Sequence, residues 1–286
     1  MPTSLPDSQL CLRPMVAADV PSALQLSMQA GWNQTPGDWS RMLNLEPHGC
    51  LVAEVAGAVV GTTVCCTFEE IAWLAMVLVD VSFRDRGIGR RLVQAGLKYA
   101  DDAGVRTVRL DATPLGRPVY ERLGFQPQFE LSRWGGISAG CDLAATTGRE
   151  ATADDLQSIF EFDQRGTRTR RTKLVRRLCA ESTPTVAIND KGHVAGFITR
   201  RLGRLSTQIG PCIGSLADAV SLLRRELEAH RGQPVIIDIP VDRIHLNAVA
   251  EQAGLTVQRS LLRMYRGEPV LENSALFQIS SGAELG

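Results

Sequence analysis

The sequence predicts a mixed α/β fold, a sheet covered by helices, built twice in tandem. Three observations carry this. Short β-branched runs alternate with helical patterns along the chain. The chain echoes itself weakly at an offset of roughly 130 residues, the mark of a duplicated unit. One strand runs into a loop bearing two glycines and several arginines, and a long amphipathic helix opens directly after it. The length, 286 residues, suffices for two ordinary domains.

In the first copy, strands are expected near residues 10–14, 50–55, 59–68, 71–81, 107–112 and 126–134. Helices are expected near 18–30, 37–45, 88–103 and 117–123. The helix from Ile88 carries Leu92, Val93, Leu97 and Ala100 on one face. Three echoes then follow in the same order. Arg13 to Val20 matches Arg149 to Leu156, each an extended start followed by a helix with Asp in its first turn, where the helix dipole favours a carboxylate. Leu51 to Gly61 matches Thr185 to Gly196, both reading as hairpins with a glycine-bearing turn. Leu123-Gly124-Phe125 leading to Ser132-Arg133-Trp134 matches Ala253-Gly254-Leu255 leading to Leu262-Arg263-Met264. The small, polar stretch Ala144 to Gly148 is the expected boundary, giving domains 1–146 and 147–286.

Composition narrows the function. Hydrophobic residues make up 44%, charged residues 22%, and the formal net charge is zero. A nucleic-acid or anionic-membrane partner would favour a strongly basic chain, so neither is expected. The seven cysteines are odd in number and lack Cys-x-x-Cys spacing, which reads as reduced thiols in a cytoplasmic protein. No signal peptide is expected at the start. The longest apolar run, 71–79, is about half a membrane span. Four scattered histidines give no metal-ligand spacing, so no metal is expected.

The informative stretch runs from Val77-Leu78-Val79 through Arg84-Asp85-Arg86-Gly87-Ile88-Gly89-Arg90. Glycines let a backbone turn and let a bulky anion approach the amides. The helix start adds unpaired N–H groups and a positive dipole end, and the arginines add charge. Together these read as a pyrophosphate cradle, with a plain strand-to-helix turn carrying solvated arginines as the alternative. It lacks the Gly-Lys-Ser/Thr of a Walker A loop and the third glycine of a dinucleotide fingerprint.

Arg84-x-x-Gly87-x-Gly89 after a Val-Leu-Val strand resembles the acetyl-CoA signature of the GNAT superfamily, the GCN5-related N-acetyltransferases. At the expected distance, Tyr120-Glu121-Arg122-Leu123-Gly124-Phe125 resembles that family's tyrosine-bearing helix and Gly-Phe turn. Asp111-Ala112-Thr113-Pro114-x-Gly116-x-Pro118-x-Tyr120, the Trp73 strand and the tandem layout resemble bacterial members whose second domain is a degenerate GNAT copy. The first copy is covered in full order, the second by the three echoes.

The resemblance implies acetyl-CoA as co-substrate. Backbone groups of Val77, Leu78 and Val79 would bond the pantetheine arm. Amides of Asp85, Arg86, Gly87, Ile88, Gly89 and Arg90 would bind pyrophosphate, with Arg84 adding charge. Thr113 stands where many members have a cofactor-contacting asparagine. Two departures exist: Asp85 replaces the usual glycine and Val81 a frequent proline. The implied reaction is direct attack of an amine on the thioester, with Tyr120 as general acid toward the leaving thiolate and a strand amide toward the developing oxyanion. The attacking ammonium, pKa about 10.4, must first lose a proton. Glu69, Glu70, Asp80 and Asp111 are the carboxylates in range, and the sequence does not single one out as the base.

The expected acceptor is the primary amine of a small molecule. The alternatives are a protein lysine or N-terminal amine, or a catalytically weak acetyl-CoA-binding regulatory module. A homodimer is compatible with the sequence. The second copy lacks the cradle, reading Ser206 to Ser215 with Pro211 where a strand amide is needed. Ser215 is the expected N-cap of a helix through His230. That copy is expected to wall the acceptor cleft, with Gln208 to Ser215 nearest the thioester. The basic run from Arg165 to Arg177 reads by default as a solvated surface, with recognition of an acidic acceptor or a salt bridge to the other domain as alternatives, and Cys65-Cys66 as strand packing.

Overall fold

The computed structural model describes residues 10–142 and 148–286. Two compact units form, and neither is one continuous stretch. Unit 1 holds the residues up to Leu110, Pro118–Gln126 and Tyr265–Glu268. Unit 2 holds Asp111–Arg117, Pro127–Met264 and Pro269–Gly286. The boundary expected at Ala144 to Gly148 lies, Gly148 apart, outside the described residues.

Unit 1 contains β1 (Cys11–Pro14), α1 (Val20–Gln29), α2 (Pro36–Leu45), β2 (Cys50–Val55), β3 (Ala58–Phe68), β4 (Ile71–Val79) and α3 (Ile88–Asp102). β5 (Thr107–Ala112) and α4 (Arg117–Arg122) begin in one unit and end in the other. The strands lie in the order β1-β2-β3-β4-β5. The first three pairings are antiparallel, and β4–β5 is parallel. Local chemistry sets the helix starts. Thr35 caps α2, its hydroxyl accepting from the Asp38 amide at 3.2 Å while the Asp38 carboxylate accepts from the Thr35 amide at 2.7 Å. The predicted stripe of α3, Leu92, Val93, Leu97 and Ala100, is buried. Gly96 lets that helix press on the sheet: a Cβ there would meet Leu74 Cδ1 at 2.6 Å.

Unit 2 contains most of β6 (Gln126–Ile137), then β7 (Arg149–Glu150), α5 (Leu156–Thr167), α6 (Thr172–Glu181), β8 (Thr185–Ile188), β9 (Val194–Leu202) and β10 (Thr207–Gly214). α7 (Leu216–Ala229), β11 (Pro234–Pro240), α8 (Ile244–Gln252), β12 (Thr256–Gly267, its last three residues counted in unit 1) and β13 (Phe277–Ile279) follow. Its strand order is β12-β6-β11-β10-β9-β8-β7, with β13 paired to β10. β6, the last strand of the first sequence copy, therefore lies in this sheet, antiparallel to β11 from Leu131↔Pro240 to Ile137↔Pro234. Leu222, Leu223 and Leu227 of α7 pack on Ile209, Ile237 and Ile239 of the sheet. Ser215 caps α7 as expected, accepting from the Asp218 amide at 3.2 Å.

The first echo has a physical cause beyond the helix dipole. Arg13 reaches both oxygens of Asp19 at 2.7 and 2.9 Å, and Arg149 reaches both of Asp155 at 2.6 and 3.0 Å. A guanidinium fork thus pins the same entry turn in each copy.

Candidate active site

Among the described residues, β4 and β5 pair at Ile71↔Thr107, Ala72↔Val108 and Trp73↔Arg109. β4 then runs on through Val79, so its β5-facing edge lies beyond that pairing. Within the run, Thr63 faces two β4 residues, because the register slips between Thr62↔Leu78 and Val64↔Ala75. This is a β-bulge, which re-aims backbone groups. Met76 forms it at φ +52°, and the Thr62 hydroxyl fixes it by donating to the Met76 carbonyl at 2.8 Å. No sequence signal marked Met76, since methionine is not a residue that left-handed backbone favours. Of the predicted strand residues, Val77 and Val79 are half-buried and Leu78 is buried.

The strand stops at Val79, two residues before the expected end. Asp80 turns the chain by capping a 3-10 turn, Val81–Phe83, accepting from the Ser82 amide at 2.8 Å and from Gln29 Nε2 at 3.0 Å. These bonds hold the Asp80 carboxyl below its usual range, the Gln29 bond first. The loop then needs two left-handed residues, Asp85 at φ +61° and Gly87 at φ +79°. The first explains why glycine is usual at that position in the family it resembles; aspartate is among the side chains that tolerate this backbone best. Gly87 is the N-cap of α3, and a Cβ there would meet nothing within 4 Å. The amides of Ile88, Gly89 and Arg90 open that helix, where intrahelical acceptors are missing. The Ile88 side chain points into a core with Leu10, Ala53, Val60 and Leu92, which fixes the helix start.

Two predicted cradle arginines brace the loop. Arg84 Nε donates to the Val79 carbonyl at 3.2 Å. Arg86 Nη2 donates to the Ser82 carbonyl at 3.1 Å and lies over the Phe83 ring at 5.3 Å. Arg90 is exposed on the first turn of α3. Bracing keeps positive charge beside the helix start at little further cost in side-chain ordering. Open space at Gly87, unpaired amides and three guanidinium groups suit a pyrophosphate.

Tyr120 sits on α4 with its ring edge-on to Phe125, 5.8 Å between centroids. Its carbonyl accepts from the Leu123 and Phe125 amides, which closes the Gly-Phe turn. Burial pushes the hydroxyl pKa up to about 12. Thr113 lies in unit 2, four residues ahead of α4; its carbonyl accepts from the Gly116 and Arg117 amides, each at 3.0 Å.

Several bland readings describe the rest of the molecule. Asp111 is a buried salt-bridge partner of Arg263 at 2.8 Å, and Glu70 makes an exposed pair with Arg106 at 3.4 Å. Burial pushes the Cys65 thiol well above its usual range, so it is no thiolate at neutral pH. In the basic run, Arg171 is buried against Asp163, while Arg165 and Arg176 lie over Phe162 and Phe160. The described residues contain no group of three metal-ligating side chains and no helix long and apolar enough to cross a membrane.

The second copy repeats the frame of the site with a different occupant. β10 and β11 pair in parallel from Thr207↔Val235 to Ile209↔Ile237. β10 then slips register before Cys212, and the Thr199 hydroxyl donates to the Gly210 carbonyl at 2.8 Å, as Thr62 does to Met76. Past this slip β13 pairs with β10, Ile279 opposite Cys212 and Phe277 opposite Ile213. Gln208 to Gly214 is consequently buried within unit 2.

The Acetyltransferase (GNAT) family matches residues 20–125, and an Acetyltransferase (GNAT) domain matches residues 159–278. The chain is 24% identical over 271 residues to the uncharacterized N-acetyltransferase YitH of Bacillus subtilis, covering 92% of this chain and 94% of that one. It is 26% identical over 260 residues to the holothin acyltransferase of a Pseudoalteromonas species, covering 89% and 87%. A solved structure from Pyrococcus horikoshii superposes with a TM-score of 0.85 over 99% of this chain and 98% of that one, at 18% identity, a likeness of fold.

Proposed function

Because this chain belongs to the GNAT acetyltransferase family, with one such domain in each half, we propose that it moves the acetyl group of acetyl-CoA onto a primary amine of a small molecule, using the site of the first copy. The observation that carries this is the cradle at the end of β4: left-handed turns at Asp85 and Gly87 and a helix start at Ile88, following a bulged strand.

Acetyl-CoA supplies an acyl thioester. The chain does the rest by holding and polarising. The amides from Asp85 to Arg90 and the dipole of α3 bind the pyrophosphate, with Arg84, Arg86 and Arg90 around them. Backbone groups of Val77, Leu78 and Val79 align the pantetheine arm, and an amide beside the Met76 bulge faces the charge that develops on the acyl oxygen. Tyr120 stays protonated at neutral pH, given its pKa of about 12. A free thiol ionises well below that, so full transfer of the Tyr120 proton to the leaving sulfur is uphill. Tyr120 therefore acts as a hydrogen-bond donor to the leaving sulfur, and solvent completes its protonation. Asp80 is held as a capping carboxylate, Asp111 as an ion-paired one, and Glu70 pairs with Arg106 at the surface, so none of these three is assigned to take the amine proton.

The holothin acyltransferase, a relative of similar length, supports the small-molecule reading. The test is release of free CoA, followed with a thiol reagent across a panel of small amines and amine-bearing peptides. Turnover of a small amine with matching acetylated product is expected. Turnover confined to peptides, or none at all, contradicts the proposal.

A further inference from the structure

Resting on the acetyl-transfer reading, we propose that Arg263, which belongs to the second sequence copy, is a positioning residue for the first copy's site. It acts through Asp111 on the end of β5 from which Thr113 and the Tyr120 helix are launched. Arg263 is buried, with its side chain 1% exposed, and Asp111 is wholly covered. The guanidinium donates from Nε and Nη2 to the two Asp111 oxygens, each at 2.8 Å. Nη1 donates to Glu272 Oε1 at 2.8 Å, and Nη2 also reaches Ser280 Oγ at 3.2 Å. The rings of Phe129 and Phe277 flank it at 5.1 and 5.5 Å. Two of these four donations go side by side to one carboxylate, so Asp111 is fixed in angle as well as distance. Thr113 follows two residues later. Its carbonyl receives the Gly116 and Arg117 amides, and Arg117 opens α4, which carries Tyr120. An error at Asp111 therefore propagates along a short, hydrogen-bonded path to both predicted site residues.

The repeat provides a control. Arg133, the counterpart of Arg263, holds Asp238 on β11 through the same fork, at 2.7 and 2.6 Å, and is also buried. Pro240 follows Asp238 at the distance at which Thr113 follows Asp111, and Ala250 stands four residues before Gly254 as Tyr120 stands four before Gly124. The two pairs share their chemistry and burial, but only one leads to site residues.

The experiment uses four variants of the full chain: Arg263→Lys, Asp111→Asn, Arg133→Lys and Asp238→Asn. Melting temperature, acetyl-CoA affinity by calorimetry and kcat on the best panel amine are read for each. All four should melt lower than the unaltered chain. Arg263→Lys and Asp111→Asn should lower kcat tenfold or more and weaken acetyl-CoA binding threefold or more. Arg133→Lys and Asp238→Asn should leave both within twofold. Equal losses of activity from the two pairs, or unchanged kcat and affinity in the Arg263 and Asp111 variants, overturn the proposal. Should the lysine variant not fold, Asp111→Asn decides, because Arg263 and Glu272 then remain a balanced ion pair. If the unaltered chain acetylates no amine of the panel, the acceptor reading fails, and the affinity comparison still decides this one.

Discussion

Asp85 combines two unfavourable features at one position. Its φ of +61° strains an L side chain, and its carboxylate lies in the loop proposed to bind pyrophosphate. Asp85→Gly removes both. The variant should bind acetyl-CoA about threefold to tenfold more tightly, roughly 0.7–1.4 kcal/mol, with the gain shrinking as salt screens the lost repulsion. Calorimetry at two ionic strengths reads this, and unchanged or weaker binding contradicts it. Tyr120 makes the complementary prediction for chemistry. Tyr120→Phe should cut turnover by about 10²-fold while leaving acetyl-CoA affinity nearly intact. The raised pKa of about 12 fixes the sign of the pH profile. Activity should climb as the amine loses its proton and show no falling limb from tyrosine ionisation near pH 10. A limb at pH 10 in the unaltered enzyme, absent in Tyr120→Phe, would show an unperturbed hydroxyl instead.

At the scale of elements, the bulge of β4 is the feature that orients the strand's backbone. Thr62→Val removes the hydroxyl that holds the Met76 carbonyl and should cost about 1 kcal/mol of stability, together with a severalfold loss of kcat. Chemical denaturation and steady-state kinetics measure the two. Stability lost without any change in kcat would make the bulge a packing detail. The strand itself was legible, since Ile71 to Val79 is an unbroken apolar run. So was the cradle, because glycines, arginines and a helix stripe stand in local succession. The bulge was not: a threonine one strand away imposes it on a methionine. The braces made by Arg84 and Arg86 were equally hidden, since spacing shows charge but not which carbonyl a guanidinium meets. The placement of β13 on β10 left no periodic trace either, being only three residues long.

For the whole molecule, the sequence showed the duplication and the structure shows that its copies are not separate pieces. Arg133 and Arg263 were visible as an echo, but the aspartates they meet lie 105 and 152 residues away. Pairing at such separation leaves no local pattern to read. The same distance explains why β6 joins the sheet of β10 and β11 unannounced. The second copy lost its cradle sequence, and β13 runs along β10 past its register slip. Both features predict one cofactor site per chain, located at Gly87. Calorimetric titration of the full chain with acetyl-CoA, beside Gly87→Glu, tests this most directly. The account predicts a stoichiometry near one, and at least tenfold weaker binding, about 1.4 kcal/mol, in a folded Gly87→Glu. A stoichiometry near two, or unaltered affinity in that variant, would contradict it.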